Sequence, residues 1–493
     1  MADGGLDRRS FLKAGLAAAA AGAAGAGGCA GTQNLVQAGA VPAVGRKRNG
    51  LNVIQIILHD TGQAFGCYGM DVKTPCVDAF AAEGVRFSNH FCNSTPCSPA
   101  RGCAMTGLYA HHNGLIGLVN RGWDIPDGVP TMVDRFNDGG YETVLCGLQH
   151  ERHPRKGNAM HYRKMFSTRG NPDPEKREIS VERVCKAAQG YLQGRQAGEG
   201  EGQKPFYLNL GIFETHAPWS RQCYKAHTPA AEAVKMPAFL PDVPLMRQPW
   251  AAFLGALTYT DQCLGEFFTF LKTSGIDRNT LVVFTVDHGV SFPRAKSSVY
   301  EAGMQTAMIM KLPGVIKAGR VAGELVSHVD LMPTLLDACG LDVPDGVDGR
   351  SYWPLLTGRA YEPNRYVFTE RNFHENFDPM RTVRDERYKY IRNFSARPDR
   401  PSVKEFEAMG LTRQNEFWIT PSQRPRPLEE LYDLQADPHE TVNLADKDEL
   451  RPVKKRLRDA LFAWMNDTGD FLRGADQDEP IMDMQREMRW IGK

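Results

Sequence analysis

The sequence predicts an α/β protein, a sheet covered by helices, followed by a smaller C-terminal α+β domain. Three observations lead there. Continuous apolar runs rich in β-branched residues recur at 53–58 (VIQIIL), 206–212, 281–286 (LVVFTV) and 307–311, the pattern of strands buried on both faces. Segments with helical spacing lie between them, notably 251–271 and 330–338, and such alternation argues for a helix-covered sheet. After Asp378 the texture changes to shorter Arg- and Pro-rich segments, with a strand expected near 388–391 and an amphipathic helix over 450–464. The resulting organisation is a leader over 1–30, a tether over 31–49, a first domain over 50–377 and a C-terminal domain over 378–493. The Gly-rich stretch 194–202 reads as an exposed loop.

A chain of 493 residues can bury full cores in two or three domains. With 59 basic against 58 acidic residues it lacks the global positive charge on which nucleic-acid binding rests. Arg8-Arg9-Ser10-Phe11-Leu12-Lys13, followed by a weakly apolar Ala/Gly stretch, has the layout of a twin-arginine export signal. That stretch is too short and too rich in glycine to span a bilayer. The leader implies export by the twin-arginine machinery to the periplasm, or to a lipid anchor at the cell envelope. Cys29, after Ala26-Gly27-Gly28, stands where a lipoprotein cysteine would, without the leucine that usually precedes it. The eleven cysteines show no C-x-x-C and no repeated spacing, so neither a zinc knuckle nor a disulfide framework is indicated.

In open α/β sheets ligands gather beyond the C-terminal strand ends. His59-Asp60 follows VIQIIL directly, and Asp287-His288-Gly289 follows LVVFTV. One Asp after a strand is usually a helix cap or turn residue, but two such pairs at equivalent strand ends can converge on a cation, with carboxylate oxygens suiting Ca²⁺ or Mg²⁺. A second group is Cys97-Ser98-Pro99-Ala100-Arg101. Pro99 suits the first position of a helix, which sets Cys97 beside free backbone N–H groups that bind anions and depress a thiol pKa. Arg101 adds a fixed cation. A cysteine-phosphatase loop would need five residues between Cys and Arg, whereas three stand here.

Cys97-x-Pro99-x-Arg101 followed by Thr106-Gly107 resembles the signature of the type I sulfatases, in which the cysteine becomes formylglycine. The resemblance runs in order along nearly the whole chain after the leader. Asn52-Val53-Ile54 with His59-Asp60 is similar to the family's first strand and metal pair, and Gly147-Leu148-Gln149-His150 to its Gly-Lys-Trp-His segment. Glu214-Thr215-His216-Ala217-Pro218 is similar to its His-x-Pro, and Asp287-His288-Gly289 to its second metal pair. Lys296 stands as the lysine before its Tyr-Glu-Gly-Gly, here Tyr300-Glu301-Ala302-Gly303. His328-Val329-Asp330-Leu331-Met332-Pro333-Thr334, Glu430-Leu431-Tyr432-Asp433-Leu434, Asp437-Pro438 and Asn443-Leu444 are similarly placed. Two departures matter, His59 in place of an aspartate and Leu148 in place of a sulfate-gripping lysine, and Ala100 for a serine is a milder change.

The resemblance implies an alkaline-phosphatase-like fold, a mixed sheet flanked by helices, and a sulfatase that needs Ca²⁺ or Mg²⁺ and a formylglycine-generating enzyme. It assigns Asp60, Asp287, His288, Cys97 and His59 to the metal, and Cys97, Arg101, His150, His216 and Lys296 to catalysis. A sulfate ester repels nucleophiles, so its oxygens need a divalent cation, Arg101 and Lys296. One hydroxyl of the hydrated aldehyde attacks sulfur while His216 with Lys296 protonates the leaving alcohol. His150 then takes the second hydroxyl's proton, which expels sulfate. His112-Asn113-Gly114-Leu115 with Gly117-Leu118 resembles the heparan N-sulfatases, pointing to a sulfated sugar such as N-sulfoglucosamine. His111 and His112 are expected near the pocket rim. Two further readings stay open: a phosphonate monoester or phosphodiester hydrolase on the same scaffold, and a non-catalytic binder of sulfated glycans.

Overall fold

A computed structural model describes residues 50–153, 160–198, 204–396, 407, 409 and 425–474. The leader, the tether and Cys29 lie outside the described residues, as do residues 199–202 of the Gly-rich stretch, whose first residues, 194–196, close a helix where a loop was expected. In chain order the first strands are β1 (Asn52–Leu58), β2 (Val85–Phe87), β3 (His90–Phe91), β4 (Glu142–Gly147), β5 (Lys164–Phe166), β6 (Phe206–Gly211), β7 (Thr280–Val286), β8 (Met308–Lys311), β9 (Arg320–Ala322) and β10 (Val326–Ser327). Eight of them form one mixed sheet in the order β5-β4-β6-β1-β7-β8-β2-β9, and β3 pairs with β10. All four apolar runs are strands in it. β4 escapes the sequence pattern because ETVLCG opens on two polar residues, of which Thr143 is buried.

β5, β4, β6, β1 and β7 run parallel, whereas β8 is antiparallel to β7 and β2. Their ends are level: Leu58 stands opposite Val286, Ile57 opposite Gly211, and Gly147 opposite Gly211 from the other side. Each strand therefore delivers its next residues to the same edge. Both faces of β1 are covered, as its unbroken apolar run requires. Ile54, Ile56 and Leu58 pack under α1 (Pro75–Ala82), α3 (Val181–Gln196) and α4 (Pro244–Thr273), while Val53 faces α2 (Cys97–Thr106) and α5 (Leu331–Ala338). α4 is longer than its predicted 251–271. An internal proline reads as a break, yet the helix runs through Pro249, which is buried with Trp250 in the core.

The C-terminal sheet is antiparallel, β11 (Val367–Phe373), β12 (Phe377–Arg384), β13 (Tyr388–Asn393) and β14 (Glu429–Asp433) in that order, with α6 (Arg451–Asp467) against it through Leu457, Leu461 and Met465. The expected domain boundary at 378 is wrong, because it separates β11 from its hairpin partner β12. That pairing is made by backbone hydrogen bonds, which a change in composition does not report. The two domains are also tied by backbone, since the Glu370 N–H donates to the Asn93 carbonyl at 2.9 Å and Phe373 N–H to Ile116 at 3.1 Å.

His111 is not at a pocket rim. Its side chain is fully buried between the domains, with Nδ1 2.9 Å from Glu370 Oε1 and Nε2 2.8 Å from Thr468 Oγ1. The Thr468 hydroxyl donates to the Trp464 carbonyl, so its oxygen accepts from Nε2–H and the ring carries both protons. Arg381 pairs with Asp470 beside it at 2.5 Å. Burial opposes the charge on His111, but Glu370 and Asp470 outweigh it and raise the pKa. His112 is half-exposed against Asp348 at 3.0 Å. With the folded pKa above the unfolded one, the His111 pair stabilises fully below the unfolded value near 6.5 and loses its effect as pH rises through the folded value. His111→Ala is therefore expected to lower unfolding free energy by about 3 kcal/mol at pH 6 and by clearly less at pH 9, measured by denaturant unfolding at both.

Candidate active site

The level ends of β1 and β7 bring the two Asp-containing pairs into contact. The Asp60 N–H donates to Asp287 Oδ1 at 2.9 Å, and the His288 N–H donates to the same oxygen at 2.9 Å. Asp60 sits at φ 52°, the left-handed region that few residues other than Gly, Asn and Asp tolerate, and this turns its carboxylate towards β7. His59 Nδ1 lies 2.8 Å from Asp60 Oδ1 and 3.3 Å from Asp287 Oδ2. Nδ1 of His288 donates to the Gly289 carbonyl at 2.9 Å, which leaves the Nε2 lone pair facing Asp60 Oδ1 at 3.2 Å. Burial would raise Asp60, yet Lys296, His216, His59 and His288 hold it well below the usual carboxylate range. Burial also raises Asp287 less than His288, His59 and Arg101 lower it.

Cys97 is the first residue of α2, and Pro99 the third rather than the first as expected; both fall in the first turn, where proline costs no hydrogen bond. The Cys97 Sγ lies 3.2 Å from His288 Nε2 and 3.9 Å from Asp60 Oδ1. One turn on, Arg101 is completely buried and donates Nε–H to Asp287 Oδ2 at 3.1 Å. Its Nη1 and Nη2 have no hydrogen-bond partner among the described residues. Glu151 Oε1 lies 4.0 Å from Nη1, and burial raises the pKa of that carboxyl. Five residues, His59, Asp60, Cys97, Asp287 and His288, thus bring ligand atoms within 4.8 Å of one another, all buried. Carboxylate oxygens and imidazole nitrogens so placed fit a divalent cation.

β4 and β6 supply the remaining histidines. Their ends approach so closely that a Cβ on Gly211 would meet the Leu148 carbonyl oxygen at 1.8 Å, and one on Gly147, at φ 96°, the Gly211 oxygen at 2.1 Å. The His59 ring lies 5.9 Å from that of His150 and 4.9 Å from that of His216, centre to centre. His150 is pushed well down by burial and by His59. His216 donates Nδ1–H to the Ala217 carbonyl at 2.5 Å, and its Nε2 accepts from Lys296 Nζ at 3.3 Å; burial and Lys296 push it down to about 3. The buried Lys296 also donates to Asp60 Oδ2 at 2.7 Å. Every residue nominated from the sequence for the metal or for catalysis therefore stands at this edge, whereas His111 and His112 do not. Missed there were Glu151, legible only as the neighbour of His150, and His374 on the turn between β11 and β12. The Lys296 ammonium is, after burial, the main influence holding His374 down.

Anion-facing guanidinium, buried ammonium and a cation-ready cluster beside a helix-terminal cysteine suit transfer of a tetrahedral anion. Comparison with known proteins agrees. The Sulfatase family profile matches residues 52–341, and the profile "N-sulphoglucosamine sulphohydrolase, C-terminal" matches 291–407. An ulvan-active sulfatase of Formosa agariphila is 29% identical over 418 residues, covering 83% of this chain and 78% of that protein. The N-sulphoglucosamine sulphohydrolase of Homo sapiens is 27% identical over 471 residues, covering 85% and 90%. Among solved structures, a Bacteroides thetaiotaomicron protein of glycosaminoglycan metabolism has a TM-score of 0.68 at 21% identity, covering 86% of this chain and 97% of that one. The phosphonate monoester hydrolase of Agrobacterium radiobacter scores 0.65 at 21%, covering 85% and 96%; both show the shared alkaline-phosphatase-like fold. With its profile spanning more than half of the sequence, the chain belongs to the sulfatase family of sulfuric ester hydrolases.

Proposed function

We propose that the protein removes sulfate from a sulfated sugar, as an ester or a sulfamate, using formylglycine formed from Cys97 and a divalent cation held by Asp60, Asp287, His59 and His288. The observation that carries this reading is the buried Arg101, whose Nη1 and Nη2 have no hydrogen-bond partner among the described residues, one helical turn from Cys97. Two unsatisfied donors on a desolvated guanidinium are costly unless an anion fills them, and a planar fork suits two oxygens of a sulfuryl group. The sugar rests on relatives named for ulvan and for N-sulphoglucosamine. The formylglycine-generating enzyme and the twin-arginine machinery belong to the same proposal: export of a folded chain lets the aldehyde and the ion be installed in the cytoplasm, before delivery to the periplasm or envelope.

A hydrated aldehyde and a divalent cation supply, when present, the attacking hydroxyl and Lewis-acid stabilisation of the sulfuryl oxygens. The chain's own residues do the rest. Arg101 orients the sulfuryl group, held by its Nε–H bond to Asp287. At neutral pH the proton for the leaving oxygen sits on Lys296, because His216 is pushed down to about 3 and shows Lys296 only a lone pair. His216 passes or positions that proton. His150, neutral because burial depresses it, accepts the proton from the second hydroxyl at position 97. Leu148 carries no charge, so Arg101 and Lys296 are the cations left to grip the sulfate.

Peptide mass spectrometry on protein from a host that makes formylglycine is expected to find the aldehyde at position 97, with sulfatase turnover exceeding phosphodiester and phosphonate turnover. An unmodified thiol would sink this reading. Faster phosphonate hydrolysis would favour the phosphonate-directed alternative, and sulfated-glycan binding without turnover the binding one. His216→Ala is expected to lower kcat on a sugar sulfate by about 10²-fold or more, but far less on an aryl sulfate whose leaving group needs no proton, read by comparing the two substrates.

A further inference from the structure

Asp60 and Asp287 have little oxygen left to offer a cation. Asp60 Oδ2 already accepts from Lys296 Nζ at 2.7 Å. Asp287 Oδ1 accepts two backbone N–H groups at 2.9 Å each, and Oδ2 accepts from Arg101 Nε at 3.1 Å. Nitrogen completes the cluster. His59 Nδ1 stands 2.8 Å from the other Asp60 oxygen and 3.3 Å from Asp287 Oδ2, and the His288 Nε2 lone pair stands 3.2 Å from Asp60 Oδ1. The protein thus presents two imidazoles, the Asp60 Oδ1, an Asp287 carboxylate whose two oxygens already accept hydrogen bonds, and the group at position 97. Ca²⁺ takes about six to eight oxygens, and Mg²⁺ demands near-octahedral oxygen with several waters. Imidazole with a few carboxylates suits Zn²⁺, and Mn²⁺, the most oxygen-preferring of the first-row transition ions, still accepts imidazole more readily than Ca²⁺ or Mg²⁺ does.

We propose that His59 is a metal ligand and that the site selects a first-row transition ion, Mn²⁺ or Zn²⁺, over Ca²⁺ and Mg²⁺. This rests on the reading that the cluster holds a divalent cation, and does not depend on oxidation of Cys97. The competing arrangement keeps His59 Nδ1 protonated, donating to Asp60 and Asp287, with an oxygen-bound ion beyond it.

The test uses the full chain stripped with chelator and titrated by calorimetry with Mn²⁺, Zn²⁺, Ca²⁺ or Mg²⁺ alone. Mn²⁺ and Zn²⁺ are expected to bind at least ~100-fold more tightly than Ca²⁺. Electron spin-echo spectra of the Mn²⁺-loaded protein are expected to show two coupled imidazole nitrogens. His59→Asp is expected to remove one coupling and narrow the Mn²⁺ to Ca²⁺ affinity ratio at least ~10-fold. Tighter Ca²⁺ than Mn²⁺ binding, or a single nitrogen in the native protein, overturns the proposal. If His59→Asp does not fold, the native spin-echo spectrum decides alone. None of these readouts needs turnover, so an inactive protein that binds Mn²⁺ through two imidazoles would remove the sulfatase mechanism and keep this inference. An active protein with oxygen-bound Ca²⁺ would do the reverse.

Discussion

Two buried carboxylates, Asp60 and Asp287, meet at the ends of adjacent parallel strands, and the surrounding structure exists to make that meeting tolerable. Uncompensated negative charge out of water is expensive. The chain compensates with Lys296 on one carboxylate and Arg101 on the other, and with two backbone N–H groups on Asp287. The compensating groups arrive from three segments: Lys296 and the His288 N–H from the loop after β7, Arg101 from the first turns of α2, and the Asp60 N–H from the left-handed residue beyond β1. The site therefore depends on the sheet keeping its strand ends level, which the continuous burial of β1, β6 and β7 enforces.

Charges that hold the carboxylates also prepare the chemistry. Arg101 spends Nε on Asp287 and keeps two N–H-bearing nitrogens for an incoming anion. Lys296 spends one donor on Asp60 and offers another to His216, so a proton waits beside a base too weak to hold it. Crowding three histidines within about 6 Å keeps His150 and His216 neutral, since burial and neighbouring positive charge both oppose protonation. Such separation of proton holders from proton acceptors is what acid and base steps in one site require.

The C-terminal sheet is part of this arrangement rather than an appendage. Its first strand is tied to the segment before α2 by the Asn93–Glu370 hydrogen bond, and the His111 network locks the segment after α2 to β11, β12 and the end of α6. The helix that carries Cys97 and Arg101 is thereby clamped at both ends. The turn between β11 and β12 then brings His374 into the electrostatic reach of Lys296.

By itself, the sequence determined the buried parallel strands and the polar pairs beyond them, because unbroken β-branched runs have few other uses and the residues after them must emerge at the sheet edge. It also marked Cys97 and Arg101, since a cysteine and an arginine four apart on a helix share a face. Only tertiary structure decided the order β4-β6-β1-β7, the strand status of ETVLCG, and that β11 belongs with β12, because pairing is made between backbones distant in sequence. It alone decided that His111 serves the domain junction, that Glu151 and His374 approach the site, and that His59 points its nitrogen at both carboxylates. Those are matters of where a side chain is aimed, which depends on neighbours hundreds of residues away rather than on the residues beside it.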